Sequence, residues 1–217
     1  EEGWTMGFGQ AKLPILREES TSSKYQLAME RSNMNAFFTQ GYSQGVWVHN
    51  RQDEWEWYAA FSDGIRTANT DILSAAEADY ALTGRVNWKW AGDWKQFKDF
   101  TSPQGSEYAG QLGGAVHGQS GGSTAPETDP NSEVFLVTVD AQAEFDGWNL
   151  YGAFVWAQNK PTTTRFNDMG AVVQGGVYVT ETDELFARWD AIFADSDRGW
   201  PDDSVNALTF GWNHYFI

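Results

Sequence analysis

The chain has 217 residues, with 30 Asp and Glu against 14 Lys and Arg, a net charge of −16, and 12 Trp, 14 Phe and 8 Tyr but no Cys. A chain this acidic is repelled by phosphate backbones, which argues against a nucleic-acid partner, and the absence of Cys removes disulfide scaffolds, thiolate zinc sites and cysteine nucleophiles together. The aromatic content excludes a disordered acidic tail, and no apolar run is long enough for a spanning helix, yet a membrane barrel built of strands is compatible with all of these numbers.

In chain order, a first strand is read at about 1–8, and the sequence opens at Glu1 with neither a basic n-region nor an apolar h-region, so any export signal is removed or not included. A long polar link follows at 9–42. The next strands fall at 43–50, where either Val46 and Val48 or Trp47 could form the apolar face, and at 54–62 after the short turn Arg51–Asp53. From Asp79 to Trp90 one face carries Tyr80, Leu82, Val86, Trp88 and Trp90, and the other Asp79, Thr83, Arg85, Asn87 and Lys89. After a link at 92–109 with Trp94, Phe97 and Phe100, strands follow at 110–119 and 133–145, the latter alternating Phe135, Val137, Val139 with Thr138, Asp140, Gln142, Glu144. Asp146–Gly147 is a hairpin signal, and strands at 148–158, 168–180, 184–192 and 205–217 complete ten.

Connection lengths alternate between short turns and long polar links, the shape of an antiparallel transmembrane β-barrel with periplasmic turns and extracellular loops. The 92–109 link breaks the rule and is read as a structured turn on the periplasmic rim. Both ends of the chain then lie on the periplasmic side. Trp55, Trp57, Trp88, Trp90, Phe145 and Trp148 sit beside the short turns, as an interfacial aromatic belt would. The competing architecture is a secreted β-sandwich that binds carbohydrate on exposed rings. The two differ in whether alternate apolar residues face lipid or a dry core.

The segment Gly9-Gln10-Ala11-Lys12-Leu13-Pro14-Ile15-Leu16-Arg17-Glu18-Glu19, with Thr21-Ser22-Ser23 and Glu30-Arg31-Ser32, resembles the central region of the phosphate-selective porin O and P family. The resemblance continues in Gln44-Gly45-Val46, Phe61-Ser62-Asp63-Gly64, Glu184-Leu185-Phe186-Ala187-Arg188-Trp189-Asp190 and Phe210-Gly211-Trp212-Asn213-His214-Tyr215-Phe216, and it is nearest to planctomycete-type members in Ala76–Thr83 and Trp94–Phe100. It implies a sixteen-stranded, trimeric porin of the bacterial outer membrane with an inward-folded loop, of which residues 1–217 would be the C-terminal part. A closed ten-stranded barrel is also permitted. The terminal Phe216 resembles the aromatic such barrels present at their last residue, with Ile217 as an extra position.

A channel of this kind carries no catalytic group and no cofactor; its partners are outer-membrane lipid and small hydrophilic solutes or ions. Function then lies in the inward polar set: Glu54, Glu56, Asp79, Arg85, Asn87, Lys89, Asp140, Gln142, Glu144, Gln174, Arg188 and Asp190. Acids outnumber bases there, which predicts weak or mildly cationic selectivity and puts phosphate specificity in doubt. Link 9–42 is the candidate constriction loop, with Lys12, Arg17, Lys24, Glu30 and Arg31 as its charges and Ser20 to Ser23 capping a helix through Tyr25, Leu27 and Met29. Equally open is a loop folded over a neighbouring subunit. His49, His117 and His214 lack zinc spacing, Asp195, Asp197, Asp202 and Asp203 read as solvated loop charge, and no nucleophile elbow or phosphate loop occurs, so an outer-membrane enzyme or adhesin ranks below a channel.

Overall fold

The computed structural model describes residues 3–71, 74–75, 77–122, 132–161 and 163–216. The start of the first expected strand, most of the 120–132 link and Ile217 lie outside the described residues.

Ten strands form one sheet in sequence order: β1 Gly3–Lys12, β2 Tyr42–Arg51, β3 Trp55–Ser62, β4 Tyr80–Ala91, β5 Ala109–Ser120, β6 Glu133–Phe145, β7 Trp148–Lys160, β8 Phe166–Tyr178, β9 Asp183–Phe193 and β10 Ser204–His214. Every neighbouring pair is antiparallel. Each expected strand is present within a few residues, because period-two patterning fixes register wherever one face is apolar. The turn Asp146–Gly147 closes with Gly147 at φ +79°, a conformation that glycine adopts without strain.

The convex face is apolar and uncovered. Leu82 is 59% exposed, Val137 40% and Val139 46%, with no second sheet against them among the described residues. A sandwich would bury these positions, so the sandwich architecture does not describe this chain. On β2 the ambiguity resolves with Val46 and Val48 outward and Trp47 inward, its indole lying flat across β1 at Gly7, where a Cβ would come within 2.4 Å of the ring. At the short-turn rim the outward rings adjoin in series: Trp55 stacks on Trp57 at 5.8 Å and on Trp88 at 6.2 Å, Trp90 lies tilted against Trp88 at 5.7 Å, and Phe145 stacks on Trp148 at 3.8 Å. Strand residues of this kind satisfy lipid on one side and headgroups at the edge.

The concave face holds the only large apolar cluster among the described residues. Segment 13–41 leaves β1 at the long-loop rim and folds inward instead of outward. It places Leu13, Ile15, Leu16, Leu27, Met34 and Phe38 against Leu136, Tyr151, Val155, Val172 and Ile192 of β6–β9. Burying six such side chains is worth on the order of 10 kcal/mol relative to a loop swung into water. The expected helix through Tyr25, Leu27 and Met29 is not there. Instead α1 spans Arg17–Ser20, a single 3₁₀ turn spans Ser23–Tyr25, and α2 spans Asn33–Phe38, N-capped by Ser32, whose hydroxyl accepts from the Asn35 N–H at 2.9 Å.

Candidate channel interior

The inner wall and the inward segment are joined by a hydrogen-bonded chain of charged groups. Arg85 on β4 donates from Nη2 to both carboxylate oxygens of Asp140 on β6 at 2.8 Å, and from Nε to Asn87 at 2.8 Å. Asn87 in turn donates to Glu56 at 2.7 Å, and Glu56 accepts from Arg51 Nε at 2.8 Å and lies 2.9 Å from His49 Nε2. The carbonyl of Ile15 receives Thr138 Oγ1 at 2.8 Å and Arg85 Nη1 at 3.4 Å, so the loop backbone completes the wall's polar network.

Two further latches hold the loop. Arg17 donates to Gln142 Oε1 at 2.9 Å and to the carbonyl of Phe97. Glu18 accepts from the Ser32 N–H and hydroxyl, both at 2.6 Å, and faces Arg188 at 3.7 Å, while Arg188 donates to the Glu30 carbonyl at 2.8 Å and Asp190 accepts from the Met34 N–H at 3.2 Å. Burial raises the Glu18 carboxyl above the usual carboxylate range, with Asp190 adding to it, and the Ser32 hydrogen bonds and Arg188 oppose this without cancelling it. Glu19 is held below that range: its partial burial is outweighed by hydrogen bonds from Lys12 and Asn35 and by the charges of Lys12 and Arg31.

The 92–108 segment also turns inward, from the short-turn rim. Phe97 and Phe100 are buried, Phe100 packs 4.6 Å from the Tyr151 ring, the Asp99 carbonyl accepts from Gln142 at 2.8 Å, and Ser102 donates to the Phe145 carbonyl at 2.6 Å. At the opposite rim, Arg198 donates to both oxygens of Asp168, at 2.8 and 2.6 Å, and lies over Phe166 and Phe37, with Trp200 edge-on to Phe37. The interior beside β5–β9 is therefore filled from both ends.

Of the expected wall residues, Glu56, Arg85, Asn87, Lys89, Asp140, Gln142, Glu144, Gln174, Arg188 and Asp190 all point inward. Two do not belong to the wall. Glu54 is exposed in the turn before β3 and Asp79 is exposed ahead of β4, because the alternation that includes them runs past the ends of the strands. Asp140, Gln142, Glu144, Gln174 and Asp190 face the folded loop and rim segment rather than water, each at most 3% exposed. Asp140 is paired with Arg85, Asp190 lies 3.8 Å from Arg188, and Glu144 accepts from Gln142 at 2.9 Å.

In the loop, Lys12 pairs with Glu19 at 2.5 Å and Arg31 caps the carbonyls of Glu18 and Thr21 at 3.0 and 2.9 Å. The Lys24 and Glu30 side chains are exposed. Patterning did not single out Thr138, Tyr151, Ser32 or Phe97 for their roles; the apolar trio in the 92–109 link was the one visible sign. Asp195 caps the Ser196–Arg198 turn, accepting from the Asp197 N–H at 3.0 Å, and also accepts from the Asn167 N–H at 2.8 Å.

A hollow of about 570 Å³ opens over the inner face of β1–β4, bounded by Thr5, Trp47, His49, Tyr58, Arg17, Tyr25, Phe97 and Lys98 among others.

No family model and no curated protein matches this sequence. Among solved structures the fold is similar to OmpT of Vibrio cholerae, an outer-membrane protein, with a TM-score of 0.62 and 12% identity over 99% of this chain and 62% of that one. It is also similar to a loop L8 deletion mutant of the same protein, with a TM-score of 0.50 and 7% identity over 97% of this chain and 75% of that one. The chain thus spans under two thirds of the length of the OmpT structure.

Proposed function

We propose that this chain, whose fold is that of an outer-membrane β-barrel protein with a lipid-facing convex surface, belongs to a porin through which small hydrophilic solutes or ions diffuse passively. The observation that carries the reading is the inverted distribution of chemistry. Apolar side chains face outward on every central strand; the inner face carries a charged, hydrogen-bonded network beside an apolar seat on β6–β9, and that seat holds a chain segment that folds into the interior. Porin function follows from pore radius and lining charge, with no covalent step assigned to the protein.

The barrel is larger than ten strands in this reading. About eight strands leave room only for their own side chains, whereas about sixteen leave an aqueous channel. The inner face here accommodates all of 13–41, the Phe97–Phe100 stretch and an open hollow besides, and both edge strands lack a second partner among the described residues. The resemblance to the phosphate-selective porin O and P family fits this size and implies a trimer. The phosphate preference is not carried over.

Purified full-length protein added to a planar bilayer should give discrete, salt-dependent conductance steps, and proteoliposomes containing it should swell in small-solute gradients. Absence of both in a correctly folded, detergent-extracted preparation would overturn the reading.

A further inference from the structure

We propose that solutes cross along the inner wall of β2–β4, through a passage bounded opposite by two segments, the inward loop 13–41 and the rim segment 92–108, with Tyr25 and Lys98 where the two meet. This inference rests on the channel reading above and locates the path within it. The half of the inner face beside β5–β9 is closed. Asp140, Gln174 and Asp190 are covered, and the cover is fixed, because Arg17, Arg85 and Arg188 each tie the loop to the wall or to the rim segment. A loop held this way is a wall and does not swing.

The open half is the hollow over β1–β4, whose volume of about 570 Å³ is that of a small-molecule site. Its strand side presents Trp47, His49 and Tyr58. Its far side is composite: Arg17 of α1 donates to the Phe97 carbonyl, and the Tyr25 ring lies 4.7 Å from Lys24 Nζ and 5.4 Å from Lys98 Nζ. The loop tip and the rim tip therefore meet at one aromatic ring that both ammonium groups approach. Lys98 is exposed at this lip and forms no ion pair among the described residues, in contrast to the paired acids under the loop. An exposed charge outside any close ion pair, beside a confined aqueous path, outweighs a larger number of paired ones elsewhere, so the rim segment, and not the strand carboxylates, governs which charge passes.

The chain has no native cysteine, so single cysteines report on the path without background. In the full-length protein, Tyr58→Cys and Lys98→Cys should be modified by a cationic, membrane-impermeant methanethiosulfonate reagent, read as a mass shift, and modified Tyr58→Cys should lose most of its single-channel current. Gln174→Cys should be neither modified nor blocked, and Ala157→Cys, a milder change at the same covered face, serves if Gln174→Cys does not fold. Modification at the covered positions as fast as at Tyr58 would overturn the passage, whether or not the preparation conducts; a wild-type protein with no conductance would instead sink the channel reading. Lys98→Glu should move the reversal potential in a KCl gradient toward cation preference, and an unchanged potential would remove Lys98 from the path.

Discussion

At the scale of single residues, Arg85 has the most to lose. Its guanidinium is 5% exposed and serves Asp140, Asn87 and the Ile15 carbonyl at once. Arg85→Met leaves a carboxylate buried without its cation, an outcome that costs about 3–5 kcal/mol, whereas removing both charges in Arg85→Met/Asp140→Leu should cost much less. Urea unfolding of the refolded protein in lipid checks the ordering, which fails if the double variant is the weaker. Glu18 supplies a pH dependence. Its carboxyl titrates higher in the folded protein than in the unfolded chain, so over the window from the ordinary glutamate range up to the folded value the folded protein binds more protons and stability falls as pH rises. Glu18→Gln should flatten that slope, and identical pH profiles of unfolding for both proteins would remove Glu18 as its source. Much of this was legible in the sequence. Arg85, Asp140 and Arg188 fall on the inward set by parity alone. Parity could not say where a strand stops, which is why Glu54 and Asp79 were misplaced. It also could not say that an inward carboxylate meets a loop instead of water, because that contact joins positions as distant as Met34 and Asp190.

At the scale of elements, the inward segment folds in because it carries an apolar stripe that no neighbouring strand consumes. Leu13, Ile15, Leu16, Met34 and Phe38 find their partners in Tyr151, Val155 and Val172, inward residues of β7 and β8 that are apolar where a water-filled wall would be polar. Both halves of that match stand in the sequence, but length and polarity mark link 9–42 as functional without saying whether it turns into the pore or over a neighbouring subunit. The helix placed over Tyr25 to Met29 failed for a local reason: Ser32, with Glu18 as the acceptor of its hydroxyl, caps a helix one turn further on. The tip at 22–25 makes none of the apolar latches, and its ends are already close, with Gln26 Nε2 donating to the Thr21 carbonyl at 3.0 Å. Deleting 22–25 should therefore widen the hollow and raise single-channel conductance without loss of folding yield. Unchanged conductance would place the narrow point elsewhere along the barrel.

At the scale of the whole molecule, the sheet's two edges decide what the barrel is. Trp4, Met6 and Phe8 on β1 are 74%, 73% and 85% exposed, and Leu208, Phe210 and Trp212 on β10 are 68%, 74% and 63%, against 40% and 46% for Val137 and Val139 in the middle. The difference is what one missing neighbour does to an outward side chain, and in hydrocarbon a free edge carries an additional cost, since each unpaired N–H and C=O is unsatisfied. Both edges must be paired in a membrane. If β1 met β10 directly, ten strands would have to enclose the inward segment, the Phe97–Phe100 stretch and the hollow, in a barrel only slightly wider than one that its own side chains fill. Further strands between the edges, as in the proposed porin, would relieve that crowding. In the intact protein the amides of β1 and β10 should accordingly exchange with deuterium as slowly as those of β6, and cysteines introduced for Thr5 and Thr209, inward positions on the two edge strands, should not form a disulfide under oxidation. Slow exchange together with efficient Thr5→Cys/Thr209→Cys cross-linking would mean that ten strands close on themselves, and the wide-channel reading would have to give way to a small, plugged barrel.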